Sequence, residues 1–291
     1  MGERSHLLLV NPSAGGGRAR KVLARAEVAL KAREIDYRVE LTTDIDHACE
    51  LARGAAAEGR IPVVISGDGL VGKVGGVLAG GEVPLAVIPG GRGNDFARVV
   101  GIPTEPEDAV ALLAAGTTRR IDVGEANGER FLCIASCGFD SDANRIANEA
   151  KVVKGPIVYA YAALRALAAW QPAGFTVDAD GDQRRFSGFT VAVANSKAYG
   201  GGMMMAPDAV LDDGLFDVVM SSNTGKLRVL ANMPKIFKGT HVENPEVEVI
   251  RAREVEISAD RPFAVYADGE HITDLPAKLR LLPGALSVIA P

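Results

Sequence analysis

The chain has 291 residues, long enough to bury a substantial core as one large domain or two modest ones. Hydrophobic residues at 47% and charged residues at 24% are the proportions of a soluble globular protein. A net charge of −5, with Lys and Arg nowhere gathered into a stripe, argues against nucleic acid as a partner.

The opening segment, MGERSHLLLVNP, has too short an apolar run for a signal peptide. Gly2 misses the myristoylation pattern because His6 stands where Ser or Thr is required. From there to about Ile121 two textures alternate. His6–Val10, Tyr37–Leu41, Pro62–Ile65 and Pro84–Ile88 are short β-rich runs, and helical patterns lie between them. In RARKVLARAEVALKARE, Val22, Leu23, Ala26, Ala29 and Leu30 share one face. Alternating strand and helix imply a parallel sheet with crossover helices, whose ligands belong at the carboxyl ends of the strands. Glycine or small polar residues fall there: NPSAGGG, Thr42 and Thr43, SGDG, and PGGRGND.

Beyond about Asp122 the spacing predicts a second, largely antiparallel domain. Its strands are expected at Arg130–Cys137, Gly174–Ala179, Phe186–Ala194, Leu215–Met220, Val247–Ile250, Val255–Ser258, Phe263–Tyr266 and Lys278–Leu282. Helices are expected at Asp140–Ala150, Ile157–Trp170 and Lys226–Lys238, with Pro234 breaking the last. The division predicted is an α/β nucleotide-binding domain over residues 1–121 and a β-rich domain over 122–291, whose last strand is allowed to return to the first domain, with the cleft between them as the default site. The apolar run Ile157–Trp170 is short for a membrane span and carries Arg165. Cys49, Cys133 and Cys137 make no disulfide framework and point to reduced thiols in the cytoplasm. The four scattered histidines offer no zinc-ligand spacing.

Gly67 to Lys73 spells the phosphate-binding G-x-x-x-x-G-K, but Val74 cannot supply the magnesium-binding hydroxyl of a P-loop. Asp68 would also set a carboxylate against the phosphates. A carboxylate there suits phosphoryl transfer differently, by holding magnesium or taking the proton of the attacking hydroxyl. Asp68, Asp95 and Asp122 all follow apolar runs and are expected to face one cleft. Asp95 could instead cap a helix, and Asp122 could be a turn residue. Gly15–Gly17 and Gly90, Gly91 and Gly93 supply bare backbone for phosphates, and Arg92 a planar donor fork.

In order, NPSAGGG, SGDGL, PGGRGNDFAR, YGGGMMMAPDAVLDDGLFDVV and YADGE resemble the diacylglycerol kinase-type lipid kinases, which include the sphingosine and ceramide kinases. The resemblance covers essentially the whole chain. It implies an NAD kinase-like N-terminal domain, a β-rich C-terminal domain, and magnesium-assisted transfer of the γ-phosphoryl group of ATP to a lipid hydroxyl. Carried over, Asn11, Pro12, Ser13, Ala14 and Gly15 would touch the ATP phosphates, as would Gly67, Asp68, Gly69, Leu70 and Gly72. Thr42 or Thr43 would lie near the nucleotide, with Arg92, Gly93 and Asn94 in the fourth loop. Asp68, Asp95 and Asp122 resemble the family's acidic network, and Asp268, with Glu270 beside it, falls on the proton acceptor. Asp213, with the carbonyls of Val210 and Leu215, looks like a structural Mg2+ site. The common third loop continues as N-E, where this chain has Gly72 and Lys73, and Arg92 replaces a Thr.

The leading expectation is an ATP- and Mg2+-dependent lipid kinase acting on diacylglycerol. The alternatives are a kinase of a sphingoid or other lipid alcohol, a kinase of a soluble substrate such as NAD, and a regulator that binds nucleotide without catalysis. Peripheral contact with the inner face of a membrane is expected from Lys226, Arg228, Lys235 and Lys238, interleaved with Leu227, Val229, Leu230, Ile236 and Phe237, and from Trp170. The competing reading of Lys226–Lys238 is a core-packed helix with a basic edge.

Overall fold

The computed structural model describes residues 5–149 and 157–291. Met1, Gly2 and Ala150, the last residue of one predicted helix, lie outside the described residues. The first part runs β1 (His6–Val10), α1 (Ala14–Ala32), β2 (Tyr37–Leu41), α2 (Ile45–Ala57), β3 (Ile61–Ser66), α3 (Asp68–Leu78), β4 (Ala86–Pro89), α4 (Asp95–Val100) and α5 (Pro106–Ala115). The second runs β5 (Thr118–Ala126), β6 (Glu129–Phe131), β7 (Ile134–Gly138), α6 (Phe139–Glu149), α7 (Ile157–Ala169), β8 (Ala173–Ala179), β9 (Asp182–Ala194) and β10 (Phe216–Ser222). It continues through α8 (Lys226–Lys238), a 3-10 turn (Thr240–Glu243), β11 (Val247–Ala252), β12 (Glu254–Ala259), β13 (Ala264–Ala267), β14 (Glu270–Asp274) and β15 (Ala277–Ile289).

β1 and β3 are near-continuous apolar runs because helices cover both faces of their sheet. The sheet is parallel, in the order β2-β1-β3-β4. The crossover helices carry readable end signals. Asp44 caps α2 by accepting the His47 N–H at 2.8 Å, and Pro106 opens α5, where a missing N–H costs nothing. All four strands therefore end on one edge, where the glycine loops begin.

Among the described residues the second sheet has 11 strands, nine of them in the order β14-β13-β7-β9-β8-β12-β15-β5-β6, with β10 on β9 and β11 on β10. Its pairings are antiparallel. Three of its hairpins close through two residues: Asn127-Gly128, Asp180-Gly181 and Asp268-Gly269. Both residues of each pair have positive φ, the turn that Asn-Gly and Asp-Gly favour because it matches strand twist.

The structure departs from the sequence expectations in several places. The division at 121/122 falls inside β5, which pairs with β15 and β6 and so belongs to the second sheet. The predicted strand Arg130–Cys137 is two strands, and β14 was not foreseen. The end of β15 returns to the first domain, a position the sequence reading allowed, where the Leu85 N–H donates to Ser287 O and the Ile289 N–H to Leu85 O, each at 2.8 Å. Pro234 does not break α8; the helix passes through it on an exposed side.

Two cores result. One spans the parallel sheet and its helices and continues beneath β7 and β15; the other fills the second sheet. Trp170 belongs to the second core, only 3% exposed. It stacks on Phe189 at 5.6 Å and lies under the Arg261 guanidinium. Contrary to expectation, it presents nothing to a membrane.

Candidate active site

The glycine loops touch one another backbone to backbone. A methyl group placed on Gly15 would lie 2.7 Å from the Gly90 carbonyl, and one on Gly91 2.4 Å from the Gly67 Cα. No side chain fits at these crossings, which explains glycine there better than turn geometry alone. Gly15, Gly16 and Gly17 all have positive φ, so regular helix begins only near Arg18. Asn11 folds back on this loop, its Oδ1 accepting the Ser13 N–H at 3.1 Å and the Ser13 hydroxyl at 2.8 Å. Exposed Arg92 leans across from the fourth loop, with its guanidinium close to Gly16. Bare N–H groups and a guanidinium thus border one space at the strand ends, a surface suited to phosphates.

Asp68 and Asp95 flank Gly93: a methyl group on Gly93 would lie 3.0 Å from Asp68 Oδ2 and 3.2 Å from Asp95 Oδ2. Asp68 Oδ1 accepts the Phe96 N–H at 3.1 Å. Asp95 is almost fully buried, and its Oδ2 accepts the Gly201 N–H at 2.6 Å. Among the described residues its Oδ1 has no hydrogen bond, and Arg98 lies 3.5 Å from it. Burial, helped by the charge of Asp68, raises the Asp95 pKa. A buried carboxylate oxygen without a hydrogen bond, beside a second carboxylate, is a place where a cation fits.

Asp268 reaches this region from the β13–β14 turn, where its φ is 53°. Its Oδ2 accepts the Leu132 N–H at 2.8 Å and its Oδ1 the Cys133 N–H at 2.9 Å. The carboxylate packs on α3, so a methyl group on Gly72 would lie 2.5 Å from its Oδ2. Burial pushes its carboxyl up to about 6 against those two hydrogen bonds, and Asp68 adds to the rise. Glu270 lies over Gly69, where a methyl group would meet its Oε1 at 2.9 Å. Burial raises Glu270 as well, opposed by Lys73. Lys73 itself pairs with Glu129 Oε2 at 2.9 Å. It bridges α3 to the β5–β6 hairpin and the neighbourhood of Glu270, and is neither a free surface residue nor aimed at the phosphate loops.

Several expected residues lie elsewhere or act differently. Asp122 does not face the cleft with Asp68 and Asp95. It is buried, with Oδ2 accepting the Gly214 N–H and Oδ1 the Gly284 N–H, each at 2.7 Å, so it clamps the Asp212-Asp213-Gly214 turn to the bulge of β15. The Leu70 side chain points into the core, leaving only its backbone for a nucleotide. The Asn94 side chain is spent on Gly91, accepting its N–H at 2.9 Å, so it shapes the fourth loop from within. The Thr42 hydroxyl turns to the Val10 carbonyl, and Thr43 bonds to Asp44 and His47.

Asp213 stands apart from the Asp68 cleft, in its own turn. Its Oδ1 accepts the Leu215 N–H at 3.0 Å and its Oδ2 pairs with Arg251. Asp217, beside it, is buried with an unpartnered Oδ2, and burial raises its pKa. Carboxylate and carbonyl oxygens are the donors that Mg2+ takes, so Asp213 with Val210 and Leu215 fits that ion in type, with Arg251 as the competing cation. Among the described residues, no three His, Cys, Asp or Glu side chains gather closely enough to hold a metal by themselves.

Sequence reasoning missed an apolar cavity of about 370 Å³ between the second sheet, α6, α7 and α8. Phe139, Phe189, Met203, Val229, Met233 and Ile236 help line it. It begins beside the acidic cleft, since Gly200 lines it and the next residue, Gly201, donates to Asp95. Polar groups interrupt its wall. Tyr199 donates to Asp140 Oδ2 at 2.7 Å, and burial pushes the Asp140 carboxyl up to about 6. Buried His241 Nδ1 and Asn244 Nδ2, also in the wall, have no hydrogen-bond partner among the described residues. Only the YGGGMMM run hinted at this space, because its apolar walls come from segments distant in the chain.

The two sheets and the loops between them match two family models in sequence. Residues 5–126 match the diacylglycerol kinase catalytic domain, and residues 133–290 the YegS C-terminal NAD kinase beta sandwich-like domain. The protein is thus a phosphotransferase of the lipid kinase class. It belongs to the diacylglycerol kinase family. It is 36% identical to a diacylglycerol kinase of Mycobacterium tuberculosis H37Rv, covering 97% of this chain and 94% of that one. It is 27% identical to a diacylglycerol kinase of Bacillus subtilis strain 168, covering 98% and 95%. The crystal structure of a diacylglycerol kinase from Bacillus anthracis Sterne has the same fold, with a TM-score of 0.76 at 24% identity, covering all of this chain and 98% of that one.

Proposed function

We propose that this lipid kinase transfers the γ-phosphoryl group of ATP to the free hydroxyl of diacylglycerol, forming phosphatidic acid, at the cytoplasmic surface of a membrane. The observation that carries the reading is the apolar cavity that begins where the Asp68–Asp95 cleft ends, joined through Gly200 and Gly201. A water-soluble alcohol needs no such space; acyl chains do. The unpartnered Asn244 Nδ2 offers a donor to an ester carbonyl, and His241 Nδ1 an acceptor to a hydroxyl.

In this reading Asn11–Gly15, the Gly67–Gly72 loop and Arg92 hold the phosphates through N–H groups and a guanidinium. Asp268 takes the proton of the lipid hydroxyl as its oxygen attacks the γ-phosphorus and ADP departs. A pKa of about 6 leaves Asp268 mostly ionised at neutral pH yet more basic than an ordinary Asp, as a general base requires. Glu270 supports that turn, and Asp68 and Asp95 face the charge of the phosphates. When bound, Mg2+ would neutralise that charge; Asp68 and Asp95 are the residues to hold it at the cleft, and Asp213, Val210 and Leu215 at a structural position. We place the domain division between α5 and β5, so that all of the second sheet lies in one domain.

The test is purified protein with Mg2+ and ATP, offered defined diacylglycerols, a sphingoid base, a polyprenol and NAD, with products identified by mass spectrometry. Phosphatidic acid as the main product supports the proposal. Phosphorylation of another acceptor alone would reassign the substrate, and no phosphorylated product would favour a nucleotide-binding regulator.

A further inference from the structure

We propose that α8, with the outer side of α7, is the face by which this protein rests on an anionic lipid bilayer; the idea builds on the lipid-kinase reading above. α8 has no buried residue, which removes the alternative of a core-packed helix. Val229, Met233 and Ile236 turn towards the cavity. Leu227, Leu230, Pro234 and Phe237, at helical spacing, form a second apolar stripe on the outside. Leu227 is 83% exposed and Phe237 53%. A helix that only roofs a cavity needs one apolar stripe; the second has no partner among the described residues.

The charges select the occupant. In a chain of net charge −5, α8 carries Lys226, Arg228, Lys235 and Lys238 and no acidic residue. Arg228 is paired with Glu246 at 2.7 Å. Lys226 and Lys235 bond to the neutral oxygens Ala168 O and Asn244 Oδ1, each at 2.7 Å, and keep their net charge. Apolar side chains flanked by cations match the boundary between acyl chains and anionic headgroups. The Lys226 bond also ties the start of α8 to the end of α7, one turn from Leu164, itself 55% exposed. Phe237 both lines the cavity and faces outward, so a lipid in the bilayer could pass it into the cavity without crossing water.

The experiment uses vesicles of phosphatidylcholine with and without phosphatidylglycerol, free of diacylglycerol, so that docking is read apart from catalysis. Leu227→Ser/Leu230→Ser and Lys238→Glu alter residues outside the cavity wall. Wild-type protein should sediment with the anionic vesicles only, and each variant should bind about tenfold more weakly or worse. Each variant should keep wild-type turnover on a short-chain diacylglycerol supplied as monomer. Leu227→Trp should shift its emission to the blue on the same vesicles. Failure of wild-type protein to sediment, equal sedimentation of the variants, or no blue shift would overturn the docking face. Loss of a dimer in the double variant with unchanged sedimentation would also overturn it, assigning the stripe to a second copy of the chain. Intact docking without turnover on any lipid would uphold this proposal and refute the kinase reading instead.

Discussion

Asp268→Asn can be compared with a second variant of the same design. Asp180 and Asp268 occupy equivalent Asp-Gly hairpin turns, and each carboxylate accepts two backbone N–H groups, Asp180 from Arg253 and Glu254 at 2.9 Å each. An amide keeps one of those bonds and turns its NH2 towards the other N–H, at a cost of about 1–3 kcal/mol. At Asp180 nothing offsets that cost, so Asp180→Asn should lower the melting temperature and leave turnover intact. At Asp268 the ionised carboxylate is already penalised by burial: a rise from 3.8 to about 6 is worth about 3 kcal/mol at neutral pH. A neutral amide there escapes that penalty, so Asp268→Asn should melt near or above wild type at pH 7. The sign follows from linkage. The folded pKa lies above the unfolded one, so ionisation disfavours folding, and the variant's advantage should fade as pH drops from above 6 towards 3.8. Turnover should behave oppositely, falling by about 10²–10⁴ because an amide cannot take the proton. The wild-type acid limb of kcat/KM should lie near 6 and be missing from the variant's residual activity. Melting curves and pH–rate profiles of both variants provide the check. Wild-type turnover in Asp268→Asn, or an unchanged acid limb, would refute Asp268 as the base.

Other expectations follow from single contacts. Gly72→Ala puts a methyl group 2.5 Å from Asp268 Oδ2 and 3.1 Å from its Cγ, so kcat should drop at least about tenfold, with less effect on the KM for ATP; unchanged kcat would mean the Asp268 position is not critical. Lys73→Glu sets a third carboxylate near Glu129 and Glu270 and should reduce turnover several-fold, with recovery when Glu129→Lys is added; no recovery in the double variant would show that the pairing does not matter. Asp213→Asn should abolish any rise in melting temperature on adding Mg2+, because an ion bound only by the native state stabilises it by mass action. If the wild-type melt is the same in Mg2+ and in chelator, Arg251 remains the partner of Asp213.

The sequence by itself determined the elements of the first domain and the loops of the site. Strands such as His6–Val10 are almost wholly apolar because both faces of their sheet are covered, and that pattern needs no partner to be read. Glycines at the strand ends are equally legible, since close backbone contacts such as Gly67 with Gly91 exclude any side chain. The Asp268-Gly269 pair specified its turn locally. What that carboxylate does was decided elsewhere: Asp180 has the same local sequence and lies exposed, whereas Asp268 is pressed on Gly72 of a helix far earlier in the chain. Asp122 shows the reverse, looking catalytic in sequence until Gly214 and Gly284 arrive from distant segments to take both its oxygens. The mix of basic and apolar residues in α8 was legible, but not which of them wall the cavity and which face outward, because a helical apolar pattern does not say which side meets protein. Local chemistry fixes backbone conformation; burial and charge, which set reactivity, depend on residues that only the tertiary fold brings together.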